Sequence, residues 1–202
     1  MKRNPMYIML LVMLLAVSAK VYAAEIHDAA KNGDIKKVKA LLDKDPSLLY
    51  VKDEQGKTSL HWATGKGQLE VMKLLLDTYH VDVNVRNNNE GTPLHVAASQ
   101  AQVEAAKILL AHKALVDARA KDGSTPLHFA SFKRLAGHFA VAKILLENGA
   151  DVNAKTNSGA TPLDMAKAMG NTQTIALLRQ YGAKEGSGVT RERSAFPYSL
   201  GF

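Results

Sequence analysis

Short amphipathic segments recur along most of the chain, and their spacing predicts pairs of helices. Within such a segment the apolar side chains lie three and four residues apart, as at Val71, Leu74 and Leu75, which places them on one face of a helix. Gly149 follows another such segment, at the point where a helix commonly ends in a left-handed residue. The apolar segments cover residues 71–76, 105–110, 141–146 and 175–178.

A four-residue motif precedes each apolar segment. It is Thr-Pro-Leu-His in two copies, and each of the other two differs from this at one position. Thr can cap a helix with its hydroxyl, and Pro at the first helical position loses no needed hydrogen bond, so the motif predicts a helix start. The copies begin 34, 33 and 36 residues apart, and repetition at such a period indicates a solenoid. The structural motif residues are Thr58, His61, Thr92, Pro93, His95, Thr125, Pro126, His128, Thr161 and Pro162.

This motif at this period resembles the ankyrin-repeat family, whose unit of about 33 residues holds two antiparallel helices and a turn. The resemblance covers residues 24–183, with a degenerate first copy at residues 26–42. It implies an all-α ankyrin-repeat solenoid of about five helix-turn-helix units with hairpin-like turns. The expected units are an N-terminal cap at 24–57, repeats at 58–91 and 92–124, a repeat with an insertion at 125–160, and a C-terminal cap at 161–183.

Residues 1–23 have the organisation of a secretory signal peptide. Lys2 and Arg3 precede an uninterrupted apolar run over residues 7–17, and Val21-Tyr22-Ala23 offers a cleavage site. The run is shorter than the roughly 20 residues that span a bilayer, so we expect cleavage after Ala23, with Ala24 second, and no stable membrane span afterwards. An uncleaved N-terminal anchor is the alternative. We therefore expect an exported bacterial protein, periplasmic in the first place and secreted in the second.

Charge adds little to this interpretation. The formal net charge of +7 falls to +4 without residues 1–23, which hold three basic residues and no acid. The other basic residues alternate with acids along helices, and no basic stripe with interleaved aromatics is present, so no nucleic-acid partner is expected.

Residues 184–202 differ in composition from the repeats. Gly186-Ser187-Gly188 predicts a flexible tail. The alternating Phe196, Tyr198, Leu200 and Phe202 would also suit a strand added to the edge of a partner's sheet, although Pro197 opposes a strand.

Catalysis finds no support in the motifs. The absence of cysteine excludes disulfides, thiolate metal sites and a nucleophilic thiol. His61, His95 and His128 lie one repeat apart, so we expect them to be too distant to share one metal ion. The resemblance instead implies that their rings hydrogen-bond neighbouring turns together. No HExxH, GxSxG or phosphate-loop motif is present, and we expect no enzyme, metal or cofactor.

The resemblance implies that turn fingers and first helices line a concave face that binds a protein client, on a chain expected to be monomeric. The fingers would be residues 52–57, 86–90, 119–124 and 155–160. Trp62 and Phe129 are candidate anchors because aromatic residues are enriched among binding hot spots, or they fill gaps between repeats. The candidate contact residues are Trp62, Lys66, Arg86, Asn88, Gln100, Arg119, Lys121, Phe129, Phe132, Lys133, Arg134 and Lys155.

The fourth repeat is longer than the others, and the excess falls within residues 131–138, between its two helices. Insertions in repeats map to loops, often on the binding side, so this segment is a specificity element or a tolerated loop without function. The predicted function is an exported protein-protein interaction module, an adaptor or scaffold. A secreted effector that binds host proteins is the alternative.

Overall fold

The computed structural model describes residues 22–186, and this part of the chain is a row of paired helices. Most of the predicted signal peptide and all of the tail beyond Gly186 lie outside the described residues. Between residues 22 and 186 the chain forms ten α-helices and no strands. They are α1 (residues 22–32, as far as described), α2 (Ile35–Lys44), α3 (Ser59–Lys66), α4 (Leu69–Lys73), α5 (Pro93–Ser99), α6 (Val103–Ala111), α7 (Pro126–Phe132), α8 (Ala136–Glu147), α9 (Pro162–Ala168) and α10 (Thr172–Gln180). A 3₁₀ turn over Pro46–Tyr50 follows α2.

The four motif copies start the first helix of the second to fifth units, as predicted. Each motif threonine is the N-cap and forms a capping box with the fourth motif residue, so that two backbone N–H groups gain acceptors. In the third unit, for example, the backbone N–H of Thr92 donates to Nδ1 of His95 over 3.1 Å. Pro follows the threonine in three of the four copies, where its missing N–H costs nothing.

The helices stack in two layers. The first helices α3, α5, α7 and α9 contact one another in sequence, and the second helices α4, α6, α8 and α10 form the other layer. The motif leucines lie in the core between them and are at most 2% exposed, and burial of one leucine side chain contributes about 1.5–3 kcal/mol. These leucines are Leu60, Leu94, Leu127 and Leu163.

The second helices end in left-handed residues. Gly149 has φ of 85°, as the sequence predicts, and Gly182 and Lys113 occupy the same position with φ of 81° and 63°. The second unit contains one extra residue around Tyr79 and His80. The chain accommodates it as a π-helical turn over Leu74–Thr78, in which the N–H of Tyr79 donates to the carbonyl of Leu74 over 3.3 Å.

A polar side chain near the start of each second helix ties its unit to the preceding one. Each donates a hydrogen bond of 2.9–3.1 Å to a backbone carbonyl near the end of the preceding first helix. In the lengthened unit His138 takes the place that glutamine has in the two units before it. The expectation that the extra residues lie in a loop between the two helices is wrong, because α8 begins at Ala136 and has 12 residues against 9 in α6, so the extra residues form an additional first turn of α8. The donors are Gln68, Gln102, His138 and Asn171, and the acceptors are Lys31, Gly65, Ser99 and Lys133.

The last unit meets the beginning of the predicted tail. Asp164, which replaces the motif histidine, accepts hydrogen bonds from the backbone N–H of Thr161 and of Gly186, each over 2.9 Å. The Thr161 hydroxyl donates to the carbonyl of Lys184 over 3.3 Å, and Glu185 pairs with Lys167. Residues 184–186 therefore lie against the fifth unit.

Candidate protein-binding face

The fingers and the first helices share one surface, which we call the finger–helix face. It consists of residues 52–57, 86–90, 119–124 and 155–160 together with α3, α5, α7 and α9. The two parts meet in a pocket of about 370 Å³ between the second and third units. The finger contributes Gln55 and Lys57 to this pocket, and α3 and α5 contribute His61, Trp62, Gly65, Lys66, Val96 and Gln100.

Hydrogen bonds connect successive fingers. An Arg86 guanidinium nitrogen donates to the carbonyl of Arg119 over 2.8 Å, and Arg119 in turn donates to the carbonyl of Lys155 over 2.7 Å. The side-chain amide of Asn88 donates to the carbonyl of Glu54 over 2.9 Å. Three of the predicted contact residues, Arg86, Asn88 and Arg119, thus use polar atoms to hold the fingers in place.

Close backbone approach fixes the finger spacing. Gly56 has φ of 75°, and a Cβ atom at this position would lie 2.5 Å from the backbone nitrogen of Asn88 in the next finger. Gly123 has φ of 79° and approaches Asn157 in the same way, with 2.8 Å to its backbone nitrogen. Only glycine fits both the left-handed backbone and this contact.

Trp62 is held in a fixed orientation on the face. Its indole N–H donates to Oδ2 of Asp53 over 2.9 Å, and the Nζ atoms of Lys57 and Lys31 lie 4.7 Å and 5.2 Å from the ring centroid. The ring is half-buried, so it packs within the stack and also presents a surface to solvent. The two interpretations of this residue, anchor and gap filler, are therefore compatible.

Phe129 is similarly half-buried. Its ring meets the ring of His95 edge to face, at 5.7 Å between centroids and 80° between planes. Phe129 and Trp62 belong to one row, because the residue directly after each motif copy lies on the same side of its first helix. This row is apolar and consists of Trp62, Val96, Phe129 and Met165.

The remaining predicted contact residues lie around this row. Lys66, Gln100 and Lys133 are exposed one helical turn farther along α3, α5 and the end of α7, and Phe132 is half-buried beside Lys133. Arg134 is exposed between α7 and α8, next to Leu135, whose residue surface is 64% exposed. Lys121 and Lys155 are exposed on the third and fourth fingers.

The motif histidines bridge neighbouring units, as the resemblance implies. The Nε2 atoms of His61, His95 and His128 lie 3.1, 3.2 and 3.1 Å from the carbonyl oxygens of Gly91, Ser124 and Ala160. Burial lowers the pKa of each of the three rings to about 4. Among residues 22–186, no three His, Asp or Glu side chains are grouped as metal ligands would be.

Lys57 is a site residue that the motif analysis did not single out. It directly precedes the motif threonine, where the other three copies have Gly91, Ser124 and Ala160. The sequence feature that could have identified Lys57 is a lysine at a position where the other copies have small residues. Its side chain extends under the Trp62 ring, and the residue is 6% exposed.

Stacked helix pairs joined by fingers define a solenoid repeat protein. The family described as Ankyrin repeats (3 copies) matches residues 23–87, 78–156 and 113–187. The chain therefore belongs to the ankyrin-repeat family, whose members are generally protein-protein interaction modules and are typically not catalytic. A search of curated proteins gave no match. No helix within the described range is both long and apolar enough to cross a bilayer.

Proposed function

We propose that this chain is an exported adaptor or scaffold that binds a client protein on its finger–helix face. The observation that carries the proposal is the pocket of about 370 Å³ beside Trp62, in which a finger and two first helices meet. A large aromatic side chain next to a concave pocket is typical of a binding hot spot.

The rigidity of the face supports this function. Bonds between fingers fix Arg86 and Arg119, and Asp53 fixes the Trp62 ring. A surface that is ordered before binding loses less side-chain and loop entropy when the partner arrives. The face can therefore bind a partner without first reorganising.

We propose no catalytic role for the motif histidines. Each ring is at least 98% buried and engages the threonine of its own unit and a backbone carbonyl of the next. A substrate could reach these nitrogen atoms only by opening the joint between two units.

Export is part of the proposal and rests on the sequence of residues 1–23. The buried side chains of α1 that belong to the hydrophobic core, Ile26, Ala29 and Ala30, all follow both expected cleavage positions. Cleavage after Ala23 removes Tyr22, whose hydroxyl accepts a hydrogen bond from Lys44 over 2.7 Å, but leaves this apolar contact intact. Signal removal is therefore compatible with the fold.

Cell fractionation and N-terminal sequencing test the export proposal. We expect a chain that begins at Ala24 or Glu25 and is recovered in the periplasm. A full-length chain in the cytoplasm would contradict export, whereas recovery in the medium would favour the effector alternative over a periplasmic adaptor.

A crosslinking pull-down from the exported compartment tests the binding role. The face variant combines Trp62→Ala with Phe132→Ser and Leu135→Ser, and the matched control combines Lys73→Gln with Lys107→Gln on the second helices. We expect the face variant to capture at least about tenfold less client, because hot-spot residues contribute more than about 1.4 kcal/mol each. Equal capture by the two variants, with unchanged helical circular dichroism, would rule out this face.

A further inference from the structure

The pocket beside Trp62 has a one-sided charge. Its ionised lining residues are Lys57 and Lys66, and no carboxylate lines it. His61 also lines the pocket, but its pKa of about 4 leaves the ring neutral at pH 7. A pocket with two ammonium groups and an aromatic wall favours an anionic ligand group.

Lys57 is the more unusual of the two cations, because it is 94% buried by the fold yet has no carboxylate close to its charge. Within residues 22–186, no carboxylate oxygen lies within 4.0 Å of Lys57 Nζ, and its ammonium packs on the Trp62 ring. Burial lowers the pKa of Lys57, the charge of Asp53 opposes this shift, and the charge of Lys66 adds to it. Buried charges are normally paired, so the Lys57 ammonium can pair with an anionic group of a ligand.

Asp53 is the nearest candidate for a neutralising group, and its oxygens are already engaged. Oδ1 accepts from the backbone N–H of Gln55 and of Lys57, each over 2.8 Å, and Oδ2 accepts from the Trp62 indole. Asp53 therefore organises the finger turn and orients the ring. Its charge attracts Lys57 at longer range without forming an ion pair.

We propose that this pocket receives the carboxylate of an Asp or Glu in an extended acidic segment of the client, with an adjacent apolar side chain against Trp62. This inference rests on the proposed function and names the chemistry of the partner. The carboxylate would accept charge-assisted hydrogen bonds from Lys57 and Lys66 in a partly dehydrated site, where such bonds are stronger than at an open surface.

The charges on the other side of Trp62 indicate where the acidic residue of the client segment lies. A smaller hollow of about 200 Å³ there is lined by Asp28, Lys31 and Asp53, so it carries one more acid than base. The acidic residue is therefore placed on the side of the second and third units. The chain's own residues 187–202 contain Arg191 and Arg193 against Glu192 and match this pocket poorly in charge.

Selection of peptides on the full mature chain tests the proposal without knowledge of the client. A phage library of random dodecapeptides is selected on the wild type and on the Lys57→Gln/Lys66→Gln variant. We expect Asp and Glu to be enriched at least about threefold over the starting library on the wild type, and the enrichment to disappear on the variant. Peptides without acidic enrichment, an enrichment that the variant retains, or no selectable peptide would each overturn it.

Titration of one selected peptide then measures the pair directly. We expect Lys57→Gln in the protein and Glu→Gln in the peptide each to weaken binding roughly tenfold, with little further loss when both are present. Lys57→Arg should retain most of the affinity, and Lys107→Gln, which removes the same charge from α6, should leave it unchanged. Additive losses, or an equal loss in the Lys107 control, would contradict a contact at this pocket.

One outcome distinguishes this proposal from the proposed function. Selected peptides that are apolar and lose binding with Trp62→Ala would leave the binding face in place and refute the acidic partner. A chain truncated after Gly186 that gains affinity for the acidic peptide about tenfold would support the acidic ligand and show that residues 187–202 compete with it for the pocket.

Discussion

At the scale of single residues, burial determines what the polar side chains of this protein do. The three motif histidines are ordinary titratable groups in sequence, but each is enclosed between two units and bonded to both. The dry environment disfavours the charged ring and holds it neutral. These histidines therefore stabilise the stack in a pH-dependent way.

Acid should destabilise the stack steeply. The folded-state pKa of about 4 lies below the unfolded value of about 6.5, so the unfolded chain binds more protons between these values and stability falls as pH falls. Three such groups predict a slope of about 4 kcal/mol per pH unit between about pH 6 and pH 4.5. Urea unfolding at several pH values measures it. His128→Gln should remove about a third of the slope, and an unchanged slope would contradict this account.

Substitution of two glycines distinguishes the cost of backbone strain from the cost of a steric clash. Gly56 and Gly149 have φ of 75° and 85°, but a Cβ at Gly56 meets Asn88 whereas one at Gly149 meets nothing within 4 Å. We expect Gly149→Ala to cost about 1 kcal/mol of unfolding free energy and Gly56→Ala about 1–3 kcal/mol more. Equal losses in a denaturant titration would show that the finger contact is unimportant.

At the scale of helices and fingers, hydrogen bonds of the same kind recur from unit to unit. Only some of them could be predicted from the local sequence. The helix starts could be predicted, because Thr58, Thr92, Thr125 and Thr161 carry their capping partner three residues later. The role of His138 could not, because the inserted residues hide its correspondence to Gln68 and Gln102. The π-helical turn was visible only as an extra residue, since sequence does not tell whether a helix or a loop absorbs it.

The lengthened unit should tolerate glutamine at position 138. His138→Gln restores the donor that the two preceding units use, whereas His138→Ala leaves the carbonyl of Ser99 with only the long contact of 3.4 Å from Lys133 Nζ. We expect Ala to cost about 1–3 kcal/mol and Gln less than about 1 kcal/mol in unfolding free energy. Equal costs for the two variants would contradict a role for His138 as the bridging donor.

On the binding face, too, some residues could be located from the sequence and others could not. The fingers and Trp62 could be located from the repeat register, since every unit places them alike. The role of Lys57 could not be predicted from the sequence, because only packing shows that its ammonium extends under the Trp62 ring without a carboxylate beside it. The sequence indicates Arg86 and Arg119 as contacts for a client. The structure shows that these exposed finger residues also form hydrogen bonds to the neighbouring fingers.

At the scale of the whole molecule, the segment that follows α10 contacts the fifth unit and covers its outer joint. At the C-terminal end, Asp164 accepts the backbone N–H of Gly186 at the joint where the earlier units place a histidine against a carbonyl. Lys184 also donates its backbone N–H to the side-chain oxygen of Asn153 over 2.7 Å. Residues 184–186 thus take part in closing the fifth unit.

Two truncations test this closure. We expect a chain ending at Gly186 to unfold at the same denaturant concentration as the full chain, and a chain ending at Ala183 to lose about 1–3 kcal/mol, because three hydrogen bonds are removed. Equal stability of the two truncated chains would contradict a structural role for residues 184–186.

The central claim is that a protein client binds the finger–helix face, and site-specific photocrosslinking tests it most directly. A photoreactive amino acid is placed at position 66 or 100 on the face, or at position 73 or 107 on the second helices, and the exported compartment is irradiated. We predict one crosslinked client from the two face positions and none from the other two. The same client crosslinked from positions 73 and 107, but not from 66 and 100, would contradict the account.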